Sequence, residues 1–68
     1  MNEDTLNMEI RKFLKKVGVT AQREIEQAIY QAVEKGDLSG NESLDVSMTL
    51  DLSSLDISHK IEGILKLE

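Results

Sequence analysis

The feature that most constrains this chain is the stretch Leu44–Leu52, in which apolar and polar residues alternate without exception. This pattern is typical of a β-strand with one apolar and one polar face, because successive side chains of a strand point to opposite sides. The apolar face must pack against another element to be shielded from water. The sequence before Gly36 could supply that element, because it carries apolar residues at helical spacing. The stretch therefore predicts a small sheet with helical segments packed on one face.

Two apolar stripes at helical spacing precede the strand. The first consists of Leu6, Ile10, Phe13, Leu14 and Val17, and the second of Ile25, Ala28, Ile29, Ala32 and Val33. Asn2 is suited to cap the first helix, and Gly18 is suited to end it in a left-handed cap. Thr20 is a good N-cap for a second helix, which Gly36 would end. We therefore expect helices at about 3–17 and 21–35.

The second half of the chain predicts a hairpin. Turn-forming residues at 37–43 indicate a loop. The first strand is expected at about 44–52, and a second strand with less regular alternation is expected at about 57–67. A four-residue connection at 53–56 places Leu52 opposite Ile57 and Leu44 opposite Leu65. The same register sets Gly63 opposite Val46, where either a bulge or the approach of a helix backbone would fill the gap.

These elements predict one α+β domain over residues 1–68. Two amphipathic helices form a helical hairpin and are followed by an antiparallel β-hairpin, giving a two-layer α/β sandwich in the order α-α-β-β. A domain of 68 residues rarely gains more than about 3–5 kcal/mol from its own core, and natural proteins of this size often add disulfides, a metal or a second subunit. The chain has no cysteine and a single histidine, so we expect the additional stability to come from a homodimer.

The charge of the chain lies in its second half. Residues 1–36 carry equal numbers of acidic and basic side chains, whereas residues 37–68 account for the whole net charge of −5. An acidic chain repels phosphate backbones, so nucleic acid is an unfavoured partner. No apolar run approaches a membrane span, and the acidic start Met1–Asp4 is unlike a secretory signal. A cytoplasmic protein that does not insert into membranes is expected.

No motif in the chain predicts chemistry. We expect no catalytic residue, no cofactor and no metal site, and therefore no enzyme. The lone His59 falls opposite Leu50 on the apolar face of the hairpin, where a histidine is more often a core or rim residue than a ligand.

Two surfaces could instead meet a protein partner. One is a basic helix face, which could bind a phosphate or an acidic partner, could offset the acidic hairpin of the same or a second chain, or could simply be solvated. It comprises Met8, Arg11, Lys12, Lys15 and Lys16. The other is a dimer edge on the last strand, which is apolar on both faces and could extend into a four-stranded sheet with a second copy. It comprises Ile61, Ile64, Leu65 and Leu67.

A small interaction or structural module is the function these surfaces favour, and two alternatives stay open. The predicted order of the elements, which is helix, short turn, helix and hairpin, is also that of a winged helix-turn-helix protein. In that interpretation the second helix, Thr20–Lys35, would read DNA. The charge of the chain disfavours that interpretation, since Asp51 and Asp56 stand near the tip of the would-be wing. The second alternative is an enzyme whose site forms at a dimer interface from His59 and Tyr30.

The chain resembles a family of short bacterial proteins of unknown function. The resemblance is carried by Met1–Met8, Ile10–Thr20, Gln22–Glu26 and Gly40–Glu42 and runs on through the hairpin, so it covers nearly the whole chain. It implies a bacterial protein that stands alone. It implies no activity, because no catalytic or binding residues come with the family.

Overall fold

A computed structural model describes all 68 residues, which divide into two compact units, Met1–Asp37 and Leu38–Glu68. The first unit contains one helix, α1, at Glu3–Glu34. The second contains strands β1, at Ser43–Leu52, and β2, at Ile57–Lys66, paired as an antiparallel two-stranded sheet. No helix of the chain combines the length with the apolar character that crossing a membrane requires.

The predicted helical hairpin is wrong. The structure has one 32-residue helix where helices at 3–17 and 21–35 were expected, so the order is α-β-β and there is no two-helix layer. Gly18 does not adopt the left-handed conformation of a cap, and Thr20 lies inside α1 rather than at an N-terminus.

The energetics of a helix break explain why α1 continues through Gly18. A glycine in a helix interior costs only about 1 kcal/mol relative to alanine. A break at this position would instead leave up to four carbonyl groups and four N–H groups without intrahelical partners. Only Gly18 and Val19 would form the connection, and good helix formers resume on both sides of this segment, at Lys16 and Ala21. One unfavourable residue is the smaller cost.

Both predicted ends of the helical region are confirmed. The Asn2 side chain accepts a hydrogen bond from the Thr5 backbone N–H at 3.1 Å, with Glu3 and Asp4 in the first turn. At the other end Gly36, at φ +85°, donates to the Val33 carbonyl at 3.1 Å. The next N–H, from Asp37, reaches the Ala32 carbonyl at 2.8 Å and completes a Schellman motif.

Because α1 is continuous, seven of the ten residues of the two predicted stripes join with Ala21 into one stripe, and Phe13, Ile29 and Val33 lie beside it. Its residues follow one another at intervals of 4, 4, 3, 4, 4, 3 and 4, which is an 11-residue repeat. We call this set the apolar stripe: Leu6, Ile10, Leu14, Val17, Ala21, Ile25, Ala28 and Ala32. An 11-residue repeat averages about 3.67 residues per turn, close to the 3.6 of an α-helix, so the stripe stays within an arc of about 100°. It runs along about 39 Å of helix.

The hairpin register is confirmed at every predicted pair. Leu44 lies opposite Leu65, Leu50 opposite His59, and the pairing continues without a bulge through Val46 and Gly63. The bulge interpretation of Gly63 is therefore wrong. The Val46 side chain occupies the space beside this glycine, with Cγ1 at 3.6 Å from the position that a Gly63 Cβ would take.

The connection between the strands has the predicted length of four residues. Ser53–Leu55 form a turn of 3-10 helix, and Asp56 follows at φ 54°, donating its N–H to the Ser53 carbonyl at 3.2 Å. Aspartate is one of the few residues that tolerate this left-handed conformation. The turn thus needs no glycine.

No residue of the chain is buried. A single helix and a two-stranded sheet have no interior of their own, so the apolar side chains of each unit lie on a surface of that unit.

Candidate interaction surfaces

The apolar stripe is the largest regular feature of the first unit. Its large members Leu6, Ile10 and Leu14 are 44%, 46% and 57% exposed. Phe13 widens the stripe on one side, and it too is exposed. An uninterrupted apolar stripe of this length with no cover within its own unit is typical of a helix that packs against another element.

The structure brings most of the predicted basic face together. The side chains of Lys12, Lys15 and Lys16 line one shallow depression with Val19 and Arg23. The segment 10–23 that contains them holds five cationic residues and no acid. Lys12 is also 3.5 Å from the Glu9 carboxylate, an ion pair with both side chains mostly exposed, which contributes little to stability.

Two predicted members of the basic face lie outside this depression. Arg11 does not line it, and neither does the exposed Met8. Sequence reasoning missed Arg23, because the expected break at Gly18 assigned it to a different helix. On a continuous helix, Lys12 and Arg23 are 11 residues apart and lie on the same side.

The apolar face of the hairpin is the second extended surface. By strand alternation it presents Val46, Met48 and Leu50 of β1, with His59 and Ile61 beside them on β2. All of these except the half-buried Val46 are exposed. His59 thus occupies its predicted position opposite Leu50.

The predicted dimer edge is divided between the two faces of the sheet. Ile61 and Leu65 belong to the apolar face, whereas Ile64 pairs with Asp45 on the opposite face and is 67% exposed. Leu67 follows the end of β2, and its N–H donates to the Glu42 carbonyl at 3.0 Å. These residues share a strand but not one surface, and their role in a dimer stays a prediction.

Glu42 organises the loop between the two regular regions, and sequence reasoning missed it. Its carboxylate accepts backbone N–H bonds from Ser39 at 2.8 Å, Gly40 at 2.9 Å and Asn41 at 3.2 Å. The N–H groups of successive loop residues thus converge on one anion, which the chain itself supplies. The signal was present as three turn formers, Ser-Gly-Asn, followed directly by a glutamate.

These hydrogen bonds lower the pKa of Glu42 below its ordinary value. The Ser39 N–H contributes most, desolvation opposes the shift, and the N–H groups of Gly40, Glu42 and Asn41 add to it. Donors directed at a carboxylate stabilise its charged form. The group fixes the loop rather than preparing a reaction, because its oxygens are occupied by the backbone.

A metal site and the predicted DNA-reading helix are the remaining candidates. No cluster of three or more His, Asp or Glu side chains could hold a metal ion. The helix-turn-helix interpretation is also wrong, because Thr20–Lys35 is not a separate helix and no turn precedes it. What the surfaces offer chemically is apolar contact and exposed charge, which suit binding.

Comparison with protein-family models gives a match over the whole chain. The model of a family of unknown function, DUF6494, matches residues 1–68. No curated protein and no solved structure matches the chain.

Proposed function

Because the chain belongs to DUF6494, a family of unknown function, we propose from its own surfaces that it is a small interaction module that acts as a homodimer. The proposed role is binding or structural rather than catalytic. A cytoplasmic location belongs to the proposal and rests on composition, since a chain without cysteine suits a reducing compartment.

The apolar stripe of α1 is the observation that carries this proposal. An isolated helix in water is at best marginally stable, and most helical stability in proteins comes from packing of the apolar face. The stripe spans seven turns of α1 and stays uncovered within its unit. A helix this long with such a face is explained if another helix packs against it.

A second copy of α1 is the occupant that the stripe fits. The stripe repeats every 11 residues, so an identical stripe presents matching spacing along the whole contact. The charges of residues 1–36 sum to zero, so two helices meet without net repulsion. A homodimer also supplies the additional burial that a cysteine-free chain of this size needs.

The proposal predicts that Leu14→Gln weakens self-association. Each dimer would lose the burial of two leucine side chains, at about 1 kcal/mol each for a partly exposed residue. The combined loss raises the dissociation constant about 30-fold. Sedimentation equilibrium over a range of micromolar concentrations measures it.

Tyr30→Gln is the matched control for this experiment. Tyr30 is 66% exposed against 57% for Leu14, and it lies on the opposite side of the same helix. The control should leave the dissociation constant within about threefold of the unsubstituted chain, as surface substitutions usually do. A single-chain mass for the unsubstituted protein, or equal effects of the two variants, would contradict the proposal.

A further inference from the structure

The apolar stripe changes in side-chain size along α1. Its first half carries the large residues Leu6, Ile10, Leu14 and Val17. Its second half carries three alanines, at Ala21, Ala28 and Ala32, with Ile25 as its one large residue, while Ile29 and Val33 lie beside the stripe next to Ile25. A stripe whose own residues are mostly large at one end and mostly small at the other does not match an identical stripe in every orientation.

We infer that two copies of α1 pack antiparallel along the apolar stripe, with the large half of each helix against the alanine half of the other. This inference rests on the proposed self-association and names its geometry. In this arrangement the two residue numbers of each facing pair add to 38. The two-fold axis therefore crosses the contact at the level of residue 19 along the helix.

One alignment matches large residues with small ones along the helix. It places Leu6 opposite Ala32, Ile10 opposite Ala28 and Val17 opposite Ala21 of the second copy, while Ile25 meets the turn that contains Phe13 and Leu14. Interhelical distance depends on the side chains at the contact, and interiors pack best when large and small residues face one another. The antiparallel pair therefore keeps an even spacing.

A parallel pair would not keep an even spacing. It would set leucine against leucine at Leu6 and alanine against alanine at Ala32. The helices would be held apart at one end and would leave voids at the other, and packing voids of this kind are costly.

Charge at the two ends of the stripe favours the same orientation. Glu3 begins α1 and Lys35 caps it, and both lie on the side of the helix that carries the stripe. Antiparallel packing brings Glu3 of each copy beside Lys35 of the other, because these numbers also add to 38. Parallel packing would bring like charges together at both ends. Antiparallel helix dipoles add a smaller effect in the same direction.

Disulfide crosslinking tests this orientation without background, because the chain has no cysteine. Two single-cysteine variants are prepared, Leu6→Cys and Ala32→Cys. They are mixed in equal amounts, unfolded and refolded together so that the chains exchange, and then oxidised gently. The mixed and the symmetric disulfides differ in mass and are counted by mass spectrometry.

The antiparallel pair predicts the mixed disulfide. Leu6 and Ala32 of opposite copies lie within bonding reach, whereas two Leu6→Cys chains place their thiols about 39 Å apart. The mixed product should exceed either symmetric product at least about tenfold, because only the mixed pair is held together by the complex. Val19→Cys, on the side of α1 away from the stripe, gives the rate of collisional crosslinking.

The other outcomes distinguish an error in the helix orientation from an error in the proposed self-association. Symmetric disulfides of Leu6→Cys and of Ala32→Cys would show parallel packing and would overturn the orientation while leaving self-association intact. A two-chain mass with no crosslink above the Val19→Cys rate would place the contact elsewhere and would also overturn the orientation. A single-chain mass throughout would overturn the proposed homodimer itself.

Discussion

Single residues decide how the loops of this chain are built, and Glu42 is the clearest case. Its carboxylate takes the position that a bound anion would take in a loop with converging N–H groups, and its carbonyl accepts from Leu67. One residue thus holds the Ser39–Asn41 loop and extends the pairing of the two strands. Local hydrogen-bond geometry, rather than burial, explains its importance.

The lowered pKa of Glu42 predicts how this loop responds to acid. A carboxyl group whose pKa is lower in the folded than in the unfolded state stabilises the fold fully above its unfolded pKa, near 4.5. That contribution is lost as the pH falls through the folded pKa. We expect a Glu42 titration midpoint below 4.5 and loss of amide protection at Ser39 and Gly40 during the same titration, measured by NMR.

Glu42→Gln is the control for the acid response. The amide still offers one acceptor oxygen but carries no charge, so the Ser39 and Gly40 amides should lose their pH dependence in this range. Amide shifts that titrate identically in both proteins would mean that another group controls the loop.

At the scale of the elements, α1 shows that a glycine surrounded by β-branched residues need not end a helix. Val17, Val19 and Thr20 are weak helix formers, and with Gly18 they create a local minimum of helix propensity. Val17, Ala21 and Ile25 nevertheless lie on one side of the helix across this minimum, and α1 continues through it.

Gly18→Ala and Gly36→Ala should therefore have opposite effects. A Cβ at Gly18 meets nothing within 4 Å on a helical backbone, so alanine should stabilise α1 by about 1 kcal/mol. Gly36 has φ +85°, so alanine there should cost about 1–2 kcal/mol by straining the C-terminal cap. Thermal unfolding followed by far-ultraviolet circular dichroism measures both. Destabilisation by Gly18→Ala would indicate that its backbone is approached by another chain.

At the scale of the whole molecule, the chain keeps its apolar stripe and its basic depression on different sides of one helix. The stripe has the properties of a packing surface, and the depression around Val19 collects Lys12, Lys15, Lys16 and Arg23. Self-association through the stripe would leave the depression accessible. The same helix could then dimerise and present charge to another molecule.

This separation predicts that the Lys15→Glu/Lys16→Glu double variant remains a dimer. The reversal makes the net charge of each chain more negative by four, but it acts on the side away from the stripe. Screening at physiological salt limits the added repulsion between copies, so the dissociation constant should change by less than about tenfold. Light scattering at micromolar concentration measures the mass. Dissociation into single chains would show that the basic side forms the contact.

The sequence alone determined the features that depend on neighbouring residues. The alternation in Leu44–Leu52 and the four-residue connection were sufficient for the strands and their register, since a slip of one residue would turn every side chain to the other face. The caps at Asn2 and Gly36 follow from side-chain and backbone chemistry within one turn. Only the tertiary structure decided that α1 is continuous, because a helix break depends on what the separated segments would pack against. The predicted second helix had no such partner within its unit, and the cost of one glycine was smaller than the cost of two more helix ends.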